Sequence, residues 1–143
     1  MADNLTPQQR SYCMSRVKNK NTGLERVVCA RLRERNVRFR RQQRGLPCKP
    51  DITIPEAKIA VFLDGDFWHG YRFPAWKRKI GRFWRIKIEK NRSRDRRNFQ
   101  KLRRMGWREI RIWQHQVERD AEACYRRIES AIRQAGHNAI SPP

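Results

Sequence analysis

The sequence predicts a mixed α/β fold: a small mixed β-sheet flanked by helices. Three observations carry this. Two short apolar runs, Ile52-Thr53-Ile54 and Ile59-Ala60-Val61-Phe62-Leu63, flank Pro55-Glu56-Ala57-Lys58 as the strands of a hairpin flank a turn. A further alternating run, Trp107 to Trp113, follows a long segment of helical character. With a short helix on the N-terminal arm, the elements read α-α-β-β-β-α-β-α, an order that places helices against a sheet.

The elements follow from local chemistry. Residues 1–21 are polar and basic, with Thr6-Pro7 as a helix start. They form an arm with a short helix at 7–18 that orders on a partner. Met14 is its flexible apolar side chain, suited either to the core or to bases. Thr22 and Glu25 form a capping box. Leu24, Val27, Val28 and Leu32, widened by Cys29 and Ala30, then give one helical face to about Asn36. Arg38 to Arg41 starts a strand, and residues 42–47 form a loop. The hairpin follows. Its second strand is apolar throughout, as a central strand covered on both faces would be.

Residues 70–81 read as a loop with Tyr71, Phe73 and Trp76 among basic residues. A long helix runs from about Arg82 to Arg104, with Phe83, Ile86 or Ile88, Phe99, Leu102 and Met105 as sparse apolar positions. Gly106 ends it. The strand Trp107–Trp113 and a last helix from about Glu118 to Gln134 complete a domain spanning 22–135. Residues 136–143 form a tail.

The chain has 143 residues, the size of one domain, and 35 Lys and Arg against 14 acids, a net charge of +21. Such charge calls for a polyanion. Nucleic acid is the first candidate. A membrane surface is disfavoured, because the basic residues are spread along the chain and no helix has a strongly apolar face. No apolar run is long enough to span a bilayer, and no signal region opens the chain. Cys13, Cys29, Cys48 and Cys124 form no CxxC pair, so no standard zinc module is written here. A reducing cytoplasm suits this chain, with Cys29 and Cys124 as core residues.

Asp51 opens the first hairpin strand and Asp64 closes the second. Antiparallel pairing brings both to one end of the sheet, where two carboxylates can hold Mg²⁺, an ion of oxygen ligands. His69 follows in a stretch with Phe67 and Trp68. Such a set suits metal-assisted chemistry on nucleic acid. An ordinary hairpin with solvated acids suits the stretch alone equally well. Glu25 can cap its helix and also reach a metal-bound water.

Longer motifs sharpen this. Pro50-Asp51, VFLDGDFWHG from Val61 to Gly70, FWRIKIEKNRSRD from Phe83 to Asp95, and GWREIRIW from Gly106 to Trp113 resemble the very short patch repair (Vsr) endonuclease family. Met14-Ser15-Arg16 and Thr22 to Glu25 fit it too. The resemblance covers roughly residues 11–118. It implies a restriction-endonuclease-like fold of the PD-(D/E)xK superfamily. It also implies Mg²⁺-dependent nicking of one strand of double-stranded DNA beside a T:G mismatch.

By that resemblance Asp51 is the principal metal ligand. Asp64 and the Leu63 backbone carbonyl lie beside it, with two ions. His69 is the general base or acid, oriented by Asp95, and Glu25 holds metal-bound water. Phe67, Trp68 and Trp84 wedge into the base stack, and Met14 approaches from the other groove. Physical chemistry agrees with these roles. The lysine typical of such nuclease sites is absent after Asp64, so a histidine must handle the proton. Of the neighbours Phe83 and Trp84, Phe83 is assigned to the core and Trp84 to DNA. Lys87 and Asn91, one and two turns on, reach base edges or phosphates.

Many family members hold a structural zinc. The corresponding positions here are Asp66, Tyr71, Phe73 and His115, which do not make a closed site. No zinc is expected. Ring packing and an Asp66–His115 hydrogen bond would replace it. The expected state is a monomer, with mismatch-repair proteins as candidate partners. Two alternatives stand beside this: a related nuclease with another DNA target, and a nucleic-acid-binding protein without catalysis.

Overall fold

The computed structural model describes residues 23–136. Met14, Thr22, the arm and residues 137–143 of the C-terminal tail lie outside them. The first helix, α1, spans residues 23–34. It buries Leu24, Val28, Cys29 and Leu32, while Val27 stays 42% exposed. Asn36, at φ 58, turns the chain out of the helix.

Four strands follow the order β1-β2-β3-β4 in one sheet: β1 Arg40–Arg41, β2 Ile52–Ile54, β3 Ile59–Asp64 and β4 Arg108–Trp113. β1 is shorter than the sequence suggests. The β2–β3 hairpin is antiparallel, with Ile52 opposite Val61. A 3-10 turn over Pro55–Ala57 closes it, and Lys58 takes the left-handed conformation. β4 runs parallel to β3, with Asp64 opposite Trp113.

All six β3 residues are buried. Their alternation sends them into two separate cores. Ile59, Val61 and Leu63 join α1 residues and Ile110, Ile112, Ile128 and Ile132. Ala60 and Phe62 meet Phe99 and Leu102 on the opposite face. β3 is therefore the covered central strand that its unbroken apolar run predicts.

The short helix α2, Phe73–Trp76, and a 3-10 turn, Lys77–Lys79, occupy the segment expected to be loop. Phe73 is their buried anchor. Helix α3 spans Arg82–Arg104 and buries Ile88, Asp95, Phe99 and Leu102. That spacing puts Trp84, four residues before Ile88, on the inward face. Phe83 falls off it and is 67% exposed, so its assignment to the core does not hold. Met105 and Ile86 are exposed for the same reason of helical phase. Gly106, at φ 85, ends the helix.

The C-terminal region holds two helices where one was expected: α4, Gln114–Arg119, and α5, Ala121–Gln134. Asp120 separates them. Its carboxylate accepts from the Ala123 N–H at 3.0 Å and caps α5. Cys124 and Cys29 are buried core residues, as their helical positions predict. Among the described residues, no helix is long and apolar enough to cross a membrane.

Candidate active site

The hairpin does place both acids at one end of the sheet. Asp51 sits just before β2, and its N–H donates to the Val61 carbonyl at 3.1 Å. The Leu63 N–H donates to Asp51 Oδ2 at 2.8 Å, fixing the carboxylate against the end of β3. Asp64 is the last residue of β3 and is 5% exposed. Both acids line one cleft of about 500 Å³ together with Leu63, His69, Asp95, Lys49 and Asn98.

The turn after β3 brings His69 back over the sheet end. Its N–H donates to the Gly65 carbonyl at 3.2 Å, and the next N–H, of Gly70, donates to the Phe67 carbonyl at 3.1 Å. Gly70 has φ 70, and a Cβ there would lie 2.7 Å from Arg92 Cδ and 2.9 Å from Ile88 Cγ2. Only glycine lets this turn press against α3 so closely.

His69 Nδ1 lies 2.8 Å from Asp95 Oδ2, so the histidine and the helical acid converge as expected. Burial pushes the Asp95 carboxyl up, but the hydrogen bond and charge of His69, with Arg111, outweigh it and hold the group below its ordinary value. Asp95 is thus ionised and can only accept, which puts the imidazole proton on Nδ1. Nε2 is left as the nitrogen that can exchange a proton. It lies 3.4 Å from Asp64 Oδ1, too far for a strong hydrogen bond.

The electrostatics of the two hairpin acids differ from that of Asp95. Burial raises Asp51 to about 6, partly offset by the Leu63 N–H and reinforced by the charges of Asp64 and Glu25. Burial also raises Asp64, against His69 and Arg111. Ligand atoms of Asp64, His69 and Asp95 all lie within 4.8 Å of one another, a spacing compatible with a divalent metal.

Glu25 is buried, but it does not line the cleft. Its Oε1 accepts from Arg41 Nε at 2.8 Å, and its charge reaches Asp51. The helix start therefore comes near the site without joining the carboxylates there.

A cluster of rings adjoins the cleft. Trp84 meets Phe67 at 6.0 Å and Trp68 at 5.8 Å between centroids, both edge-on, and Trp76 stacks on Phe67 at 5.5 Å. Phe67, Trp68 and Trp84 are each half-buried. Lys87 Nζ stands 4.9 Å over the Trp68 ring. Asn91 Nδ2 donates to the Trp68 carbonyl at 3.0 Å, so its amide holds the turn in place. The buried Trp68 Nε1 finds no acceptor among the described residues.

At the positions matching a zinc site, His115 Nδ1 lies 2.8 Å from Asp66 Oδ1. Tyr71 packs on the His115 ring at 4.4 Å and on Trp113 at 5.0 Å. The expected Asp66–His115 hydrogen bond is present, and of Tyr71, Phe73 and Trp76, expected to pack together, Phe73 meets Trp76 edge-on at 5.0 Å and Trp76 Nε1 donates to the Tyr71 carbonyl at 2.8 Å.

Sequence reasoning missed Arg111. Its Nε donates to Asp64 Oδ2 and its Nη2 to Asp95 Oδ2, each at 2.7 Å. The signal was available: in the alternation of β4, Ile110 and Ile112 face one core, which sends Arg111 to the face that carries Asp95.

Fold and cleft together define a class: a restriction-endonuclease-like nuclease, with acids at a strand end and a carboxylate-backed histidine. The chain belongs to the DNA mismatch endonuclease Vsr family, whose sequence profile matches residues 2–75. The DNA mismatch endonuclease Vsr of Escherichia coli is 34% identical over 116 residues, covering 80% of this chain and 74% of that one. A type II nicking enzyme of Xanthomonas oryzae is 39% identical over 116 residues, covering 80% and 85%. Another, of Neisseria meningitidis, is 34% identical over 134 residues, covering 92% and 90%. The protein is a DNA endonuclease.

Proposed function

We propose that this endonuclease nicks one strand of duplex DNA beside a T:G mismatch and requires Mg²⁺. The observation that carries this is one cleft, shared by Asp51, Asp64 and the His69–Asp95 pair, with a half-buried ring cluster on the turn that holds His69. The donor set fits a hard ion. Asp51 lines the cleft and has no cationic partner within ion-pair distance among the described residues. The Leu63 carbonyl is the neighbouring oxygen on the same strand end. Bound Mg²⁺ supplies charge neutralisation at the phosphate and lowers the pKa of water.

The chain's own groups do the rest. Asp95 fixes the tautomer of His69, whose Nε2 takes a proton from the attacking water or returns one to the leaving oxygen. Lys49 and Arg94 line the cleft and attract the phosphodiester. One chain supplies all these groups, which suits a monomer.

Phe67, Trp68 and Trp84 probe the base stack. Unstacking costs a few kcal/mol per step and least at a mismatch, so a weak pair is selected by its own weakness. The unpartnered Trp68 N–H favours this role. A buried donor without an acceptor costs about 1–3 kcal/mol, which a shift of the ring toward DNA would recover. Lys87, above that ring, places positive charge where the backbone would pass. No structural zinc is proposed, because the Asp66–His115 bond and the rings around it already tie the same segments together. Stoichiometric zinc in the purified protein would refute this.

The deciding experiment is a panel of duplexes, with T:G, other mismatches and full pairing, each with Mg²⁺ or EDTA. Nicking of T:G alone, and only with Mg²⁺, is expected. Equal nicking of paired DNA would point to another target. Binding without cutting in Mg²⁺ or Mn²⁺ would point to a binder.

A further inference from the structure

Arg111 sits mid-strand on β4, opposite Phe62 of β3. Its guanidinium bridges Asp64 and Asp95 with two bonds of 2.7 Å, one to each carboxylate. Two rings lie close to it: the guanidinium carbon is 4.3 Å from the Trp113 ring centroid and 5.3 Å from that of Phe99. The Arg111 carbonyl accepts from Arg127 Nη2 at 3.0 Å, which ties the strand to α5. The side chain is only 22% exposed. Two of its guanidinium nitrogens and its carbonyl are thus held.

Arg111 lies on the one group of three potential ligands, among the described residues, whose spacing could hold a metal ion. Asp64, His69 and Asp95 could cage a cation by spacing alone. Asp64 Oδ2 and Asp95 Oδ2, however, already receive the guanidinium, and Asp95 Oδ2 also receives His69 Nδ1. Mg²⁺ needs oxygens at about 2.0–2.1 Å in near-octahedral geometry, with no positive group between them. Two carboxylates and one guanidinium leave little charge to attract it. Asp51 stands apart from this cluster. It receives only the Leu63 N–H through its side chain, and Oδ1 accepts no hydrogen bond among the described residues.

We infer that Arg111 is a resident cation of the cleft, bridging Asp64 and Asp95 so that both are engaged, and that the chain therefore binds one divalent ion, at Asp51, rather than two. The inference rests on the metal dependence proposed above. It turns Asp64 from the metal ligand that the family resemblance implies into a partner of Arg111. It makes Arg111 a positioning residue. Through Asp95 it also fixes the imidazole that handles the proton.

Mn²⁺ titration of the full chain, with the free ion read by electron paramagnetic resonance, counts sites without reference to activity. The wild type is expected to bind one Mn²⁺, Asp64→Asn still one, and Asp51→Asn none. Arg111→Met, which leaves Asp64, His69 and Asp95 without their cation, is expected to bind two. Arg111→Lys keeps the charge and is expected to bind one; it serves where Arg111→Met does not fold by circular dichroism. Two ions on the wild type, with one lost in Asp64→Asn, would overturn the inference and leave metal dependence intact. No ion on the wild type, with or without DNA, would overturn both.

Discussion

The cleft and the ring cluster share one turn but are built on opposite terms. In the cleft, Asp64 and Asp95 are buried and bound to Arg111 and His69. In the cluster, Phe67, Trp68 and Trp84 are half-buried and meet edge-on, and the Trp68 indole N–H finds no acceptor among the described residues. Preorganised charge suits chemistry, because fixed dipoles need no rearrangement as the reaction proceeds. Loosely joined rings suit recognition, because they can leave each other for bases. The difference predicts that substitutions in the cleft change rate, while substitutions in the cluster change which DNA is chosen.

The largest effect should come from Asp51→Ala. Nicking of a T:G duplex is expected to fall below detection, with DNA binding kept in a gel-shift assay. Substantial residual cutting would break the division. His69→Ala comes next, with a loss of about 10²–10⁴-fold in single-turnover rate, the usual worth of a positioned acid or base. An unchanged binding constant is the companion expectation.

Trp68→Ala tests the other side. A stacked ring is worth about 1–3 kcal/mol. Affinity for mismatched duplex should fall accordingly, with little change on paired duplex. Equal losses on both would show that the ring only packs.

A further effect, on stability and not on activity, is one of pH on the metal-free protein. Asp51 rises from its ordinary 3.8 to about 6 on folding. The folded chain then binds this proton more tightly than the unfolded one. Its contribution to stability is full below about pH 4 and is lost as pH rises through about 6, roughly 3 kcal/mol in all. Asp64 shifts in the same direction and Asp95 in the opposite one. Urea unfolding in EDTA should therefore show the wild type losing stability relative to Asp51→Asn between pH 4.5 and 7. Parallel profiles would show that the carboxylate is well solvated.

Much of the fold was legible because its signals are local. The unbroken apolar run of β3, the hairpin turn and Gly106 each act through their immediate neighbours. Asp51, Asp64, His69 and Asp95 were legible through family motifs, and the structure brings them into one cleft. Phe83 was misread because adjacent aromatics compete for one inward position, and only the phase set by Ile88, Phe99 and Leu102 decides it. Arg111 escaped because its partners lie far away in sequence. The alternation of β4 gives the face on which Arg111 lies, but not the two carboxylates that meet it there, one on β3 and one on α3.

The parallel pairing of β3 with β4 has a kinetic consequence. β3 ends at Asp64 and β4 begins at Arg108, so the pair forms only after the chain has closed the long loop that contains α3. Contacts so distant in sequence are made late and slowly. The hairpin can bring Asp51 and Asp64 together early. Arg111 arrives only with β4, and until then both Asp64 and Asp95 lack their counter-charge. A chain still emerging, or one cut before β4, holds the hairpin acids but not the Arg111 bridge that braces Asp95 behind the histidine. The capacity to cut DNA is therefore among the last properties this protein acquires as it folds.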